Sequence, residues 1–146
     1  TLPDVSIYKD ERGCLVIHAP KVADKVIFTN DIVELISNYQ FEWLGRYDNV
    51  INSGGVKLHP EQIEAKISPI LSSRFFVAGI KDDQLGQKLV LVVEGLTREV
   101  NFSACSLSKF EIPKATFFID TFVETKSGKI VREKTLSLLG LKKPDA

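Results

Sequence analysis

The chain has 146 residues, 44% of them hydrophobic and 26% charged, with nineteen basic side chains balanced by nineteen acidic ones. That composition suits one ordinary folded domain, or one domain plus a piece of another, and excludes a disordered or collagen-like segment. Zero net charge supplies no overall field toward nucleic acid or an anionic membrane, and no apolar run approaches the roughly 18 residues that span a bilayer, so neither partner is expected and a cytoplasmic location is.

In chain order, residues 1–45 predict short strands separated by turns. One strand covers residues 15–19 after the Glu11-Arg12-Gly13 turn, a second residues 25–28, and a third residues 39–44. Such a run makes a poor independent core, so it predicts the strand-rich, incomplete end of a larger domain. From about Asp48 the pattern changes. Asn52-Ser53-Gly54-Gly55, between Val50-Ile51 and Val56-Lys57-Leu58, has the composition of a tight two-stranded turn. Pro60 opens a helix whose apolar positions are Ile63, Ile67, Ile70 and Leu71. Strands follow at residues 75–80 and 88–93, the second almost continuously apolar and therefore expected to be central and covered on both faces. A shorter helix is expected around residues 103–110, stopped by Pro113, then a strand at 115–120. After Thr125-Lys126-Ser127-Gly128-Lys129, a last helix around residues 131–139 ends at Gly140, with Pro144 beyond. The expected class is α+β: a small domain over residues 49–146 with a β-hairpin, a three-stranded sheet and packed helices, preceded by a strand-rich remnant.

Cys14 and Cys105 are too few for a disulfide framework and read as buried free thiols, while His18 and His59 stand alone, so no metal site is expected. The chain has no methionine, even at its first position. That leads to the expectation of a fragment or a processed segment.

Three segments could carry chemistry. Ser127 and Gly128 before Lys129 make a turn able to present an ammonium group to phosphate, although taken alone the loop reads as a solvated basic turn and lacks the glycine pattern of a P-loop. In Gly45-Arg46-Tyr47-Asp48-Asn49-Val50-Ile51, Arg46 could clamp phosphate or ribose oxygens or could form an ordinary salt bridge. Thr29-Asn30-Asp31 reads as a turn whose carboxylate could accept from ribose hydroxyls or could cap the turn.

In order and spacing, Thr29-Asn30-Asp31, the run from Gly45-Arg46-Tyr47-Asp48 through Asn52-Ser53-Gly54-Gly55-Val56-Lys57-Leu58-His59-Pro60-Glu61-Gln62-Ile63-Glu64, and Ser127-Gly128-Lys129-Ile130 together resemble the adenylate-forming superfamily of acyl-CoA synthetases, peptide-synthetase adenylation domains and luciferases. Gly79-Ile80-Lys81-Asp82, Leu85-Gly86-Gln87 and Phe110-Glu111-Ile112-Pro113-Lys114 fit the same pattern. The resemblance implies that Asp31 binds the ribose of ATP and that Arg46 contacts its ribose or phosphates. It implies that residues 46–48 form a hinge centred on Asp48 and that Lys129 is catalytic in adenylation. Ser53, Gly54 and Gly55 would make room for the pantetheine arm of coenzyme A. It also implies ATP and coenzyme A as cofactors, Mg2+ arriving with ATP and not held by this chain, a carboxylic acid substrate, and a missing amino-terminal domain as partner, without which the chain is inactive. Asn30 stands where the family usually has glycine, which puts the local turn geometry in doubt, and Val123-Glu124 stands where the lysine loop usually begins with proline. Phe28 through Glu34 and Trp43 through Gly55 are most similar to bacterial o-succinylbenzoate–CoA ligases of menaquinone synthesis. Another acyl- or aryl-CoA synthetase or a peptide-synthetase adenylation domain is the alternative, and a free-standing binding module that kept the fold is a reading of a different class.

Overall fold

A computed structural model describes residues 4–21 and 26–141. Lys25 and Pro144 lie outside the described residues. By packing, the chain divides into two compact units, Thr1–Val50 and Ile51–Ala146.

The first unit is a four-stranded antiparallel sheet in sequential order: β1 (Ser6–Lys9), β2 (Cys14–His18), β3 (Ile27–Ser37) and β4 (Gln40–Arg46). Ile7, Leu15 and Val33 form its small buried cluster, with Ile17 and Leu35 packed against them. β3 corrects the sequence reading. Thr29-Asn30-Asp31 is not a turn but the middle of an eleven-residue strand. Side-chain bonds, local and non-local, hold it extended: the Thr29 hydroxyl donates to the Leu15 carbonyl at 2.7 Å and accepts from the Asp31 amide at 3.2 Å. Arg12 donates to the Asn30 side chain and to the Thr29 carbonyl, both at 3.0 Å. Asn30 keeps a negative φ, so the backbone here does not call for glycine. After β4 comes a single 3₁₀ turn, Tyr47–Asn49, which holds Asp48.

The second unit is a five-stranded sheet with a helix on each face. The hairpin β5 (Ile51–Ser53) and β6 (Val56–Leu58) joins β8 (Gly86–Glu94) where Ser53 pairs with Gly86. β7 (Phe75–Asp82) pairs antiparallel with β8 along one edge, and β9 (Ala115–Ile119) pairs parallel with it from Val90 to Glu94. The expected hairpin and three strands are thus one continuous sheet. The apolar run in β8 is central as its composition predicts: Leu89, Val90, Leu91, Val92 and Val93 are all at most 1% exposed. Alternation splits them between two cores. Leu89, Leu91 and Val93 pack with Ile63 and Ile67 of α1 (Pro60–Ile67), whereas Val90 and Val92 pack with Phe76, Phe122 and Leu136 of α2 (Arg132–Leu138).

Pro60 takes the first helical position of α1, where its missing N–H is no loss, and Glu61 sits in the first turn. α2 ends as the sequence predicts: Gly140 has φ +74°, and the Leu141 amide returns to the Leu136 carbonyl at 3.0 Å. The helix expected at residues 103–110 does not form. Only the 3₁₀ turn Phe102–Ala104 is present, because Cys105 turns extended and brings itself and Leu107 onto the α1-side core. Cys14 is buried, Cys105 half-buried, and both thiols are free.

Candidate functional site

Asp31 and Arg46 are paired residues of neighbouring strands, so backbone register delivers them to each other. Arg46 Nη1 lies 2.9 Å from Asp31 Oδ1, and Trp43 Nε1 donates to the same oxygen at 3.3 Å. Oδ2 is left without a partner among the described residues. The carboxylate is 29% exposed. It is therefore oriented by two donors on one oxygen while its other oxygen can still accept, which suits a pair of vicinal hydroxyls. Sequence reasoning missed Trp43. Its approach to Asp31 depends on the pairing of β3 with β4, whose register shifts between Ile32 and Val33, so no local spacing signalled it.

Ser53, Gly54, Gly55 and Lys129 belong to the second unit. Gly54 and Gly55 have φ of +59° and +85°, which makes the two-residue hairpin turn between Ser53 and Val56. The Gly54 amide donates to the Leu85 carbonyl at 2.9 Å, and a Cβ at Gly54 would come within 3.1 Å of Leu85 Cδ2. The turn is thereby docked on the β7–β8 turn, itself fixed by Asp82 Oδ2 accepting from the amides of Gln84 and Leu85. A Cβ at Gly55 would meet nothing within 4 Å, so that side of the turn is open.

Lys129 is exposed at the end of a narrow loop. The Thr125 amide donates to the Lys129 carbonyl at 2.8 Å, and the Gly128 amide to the Thr125 carbonyl at 2.9 Å. The Thr125 hydroxyl accepts from the Lys129 amide at 3.1 Å. Gly128, at φ +85°, makes the reversal. The loop backbone is therefore set by its own hydrogen bonds, and the exposed Lys126 and Lys129 side chains project from it.

Beside the hairpin lies a cleft of about 310 Å³ lined by Leu58, His59, Gln62, Lys66, Phe110 and Glu111, among others. Lys66 and Glu111 form an ion pair of 2.8 Å there. Burial works against the Glu111 charge, but Lys66 and the Ser108 amide hold its carboxyl below the usual range. Burial pushes the His59 imidazole down, and its Nδ1 has no hydrogen-bond partner. Among the described residues, no group of three or more His, Cys, Asp or Glu side chains could hold a metal ion, and no helix is long and apolar enough to cross a membrane.

No family model matches the chain. Over 62% of its length it is 36% identical to the uncharacterized acyl-CoA ligase YhfT of Bacillus subtilis, of which it spans 20%. The first curated relatives it matches, at 25% identity, are spanned for 24% of their length. It is 38% identical to an acyl-CoA synthetase (AMP-forming)/AMP-acid ligase II-like protein of Dyadobacter fermentans, with a TM-score of 0.59, covering 94% of this chain and 42% of that one. Its fold is also that of Escherichia coli MenE bound to an analogue of OSB-AMS, at 20% identity and a TM-score of 0.67, over 95% of this chain and 34% of MenE. The likenesses to YhfT and to the Dyadobacter protein support a place in the adenylate-forming acyl-CoA synthetase superfamily.

Proposed function

We propose that the chain is the carboxyl-terminal part of an ATP-dependent acyl-CoA ligase, which activates a carboxylate as an acyl-adenylate and transfers it to coenzyme A. The observation that carries this reading is the Lys129 loop, a backbone-fixed reversal that holds the exposed Lys129 at its end. Lys129 stabilises the charge that develops between carboxylate and α-phosphate as pyrophosphate leaves. Asp31 accepts from the ribose hydroxyls through Oδ2, and Arg46 orients Asp31 and contacts the nucleotide. The open side of the Gly54-Gly55 turn leaves space for the pantetheine arm, and ATP brings its own Mg2+. Rotation near Asp48 exchanges Lys129 for the glycine turn between the two half-reactions.

The phosphate loop and acyl pocket belong to a missing amino-terminal domain, so the chain alone does not adenylate. The wording from Phe28 to Glu34 and from Trp43 to Gly55 supports o-succinylbenzoate as the acid, and with it a role in menaquinone synthesis in the cytoplasm. Another acyl-CoA synthetase is supported equally by the likeness to YhfT. A non-catalytic module would need none of Asp31, Arg46, Asp48 and Lys129, and all four are present.

In the enzyme that carries this chain, Lys129→Ala is expected to lower adenylation, followed by pyrophosphate release, by about 10²- to 10³-fold. Thioester formation from supplied acyl-adenylate should be much less affected. Equal losses in both half-reactions would overturn the assignment.

A further inference from the structure

The internal hydrogen bonds of the Lys129 loop fix its shape but not its attachment to the sheet. That attachment converges on Arg74, just before β7. Arg74 Nε and Nη2 donate to the two oxygens of Glu94, at the end of β8, at 2.9 and 2.6 Å. Nη2 also donates to Glu124 Oε1, and Glu124 is bridged to Ile130 across the stem of the loop. The guanidinium lies 5.6 Å from the centroid of the Phe122 ring, which is buried in the α2-side core. Glu94 Oε2 additionally accepts from the Phe122 amide at 2.8 Å.

One planar cation thus joins a strand end, a core ring and the loop stem, from positions 20 and 50 residues apart in sequence. An isolated exposed ion pair would matter little. Here two carboxylates share one fork of donors, and one of them also holds a backbone amide two residues before the stem. A lysine could supply the charge but not the fork and the flat face together.

We propose that Arg74, acting through Glu94 and Glu124, is a positioning residue for Lys129. The guanidinium holds the loop stem in register with the sheet, so that the ammonium group starts from a fixed base. This rests on the reading of Lys129 as the adenylation lysine.

Two measurements separate the inference from that reading. In the 146-residue chain, Arg74→Gln is expected to speed amide hydrogen exchange at Phe122, Val123 and Thr125 by about tenfold, with Val90 and Val92 unchanged. Arg74→Lys should recover part of the protection. Glu124→Gln, which leaves the Arg74–Glu94 pair standing, should loosen Thr125 alone and serves if Arg74→Gln does not fold. In the enzyme that carries the chain, Arg74→Gln should lower kcat for adenylation by about tenfold with KM for ATP unchanged, and spare the thioester step. Unchanged exchange at the stem overturns the proposal whatever the chain does in catalysis. Faster exchange with full adenylation activity overturns the positioning role. If Lys129→Ala also adenylates normally, the catalytic reading falls first and the positioning role falls with it.

Discussion

The two units bury their apolar side chains to very different degrees. In the second, β8 runs between two helices, and five successive residues are sealed from water. In the first, three residues form the buried cluster, while Phe28, Ile36, Tyr39, Phe41 and Trp43 stay at least 42% exposed on β3, β4 and the turn between them. A sheet sends alternate side chains to opposite faces, so it needs a layer on each face to bury them all. The second unit supplies both layers from its own sequence, whereas the described part of the first contributes no α-helix. Coverage of both faces gives the loop of Lys129 a buried residue, Phe122, just before its stem.

The sharpest way to break this contrast is to hollow each core. Leu91→Ala should destabilise the second unit by about 2–5 kcal/mol, and Val33→Ala the first by less, about 1–3 kcal/mol. Urea unfolding curves check it, and an equal or larger loss at Val33 would remove the distinction. Limited proteolysis sharpens it next. Trypsin is expected to cut at the exposed Arg46 before Lys88, which opens the buried run of β8, and early cutting within residues 88–93 would contradict the contrast.

The smallest effect is pH dependence, and it should fall mainly on the second unit. His59 has a lowered pKa, so the unfolded chain takes up its proton first and stability is lost as pH falls through the ordinary histidine value of 6.5. Glu94, held low by hydrogen bonds from Arg74 and the Phe122 amide, and Glu111 follow in more acid solution: their contribution is present above the ordinary carboxylate value and lost as pH falls through the depressed one. His59→Gln should flatten the slope of stability between about pH 7 and pH 5 while leaving the acid limb in place. A slope unchanged by that substitution would assign it to other groups.

What the sequence showed, and what it hid, follows from the range of the interactions. The apolar run at residues 89–93, the glycine pair at Gly54 and Gly55 and the stop at Gly140 are local signals, and each means in the structure what it means in the sequence. Thr29-Asn30-Asp31 misled because three polar residues look like a turn when Leu15 and Arg12, their partners across the sheet, are out of view. Residues 103–110 misled in the opposite sense, because Cys105 and Leu107 reach the core from an extended backbone. Of the candidate site, Asp31 and Arg46 were recognisable one by one, but their pairing depends on register. The Arg74 network spans separations of up to 50 residues, so no local spacing could reveal it.

The position of β8 between two clusters has a consequence for how the second unit tolerates change. Substitutions at Leu89, Leu91 and Val93 are felt by one helix, and those at Val90 and Val92 by the other, so the odd and even positions can vary semi-independently. A one-residue insertion within the run, by contrast, would exchange the two sets and misfit both at once. Thermal opening should likewise be shared: neither cluster can come apart without stripping a wall from the other, so both helices should melt in a single transition.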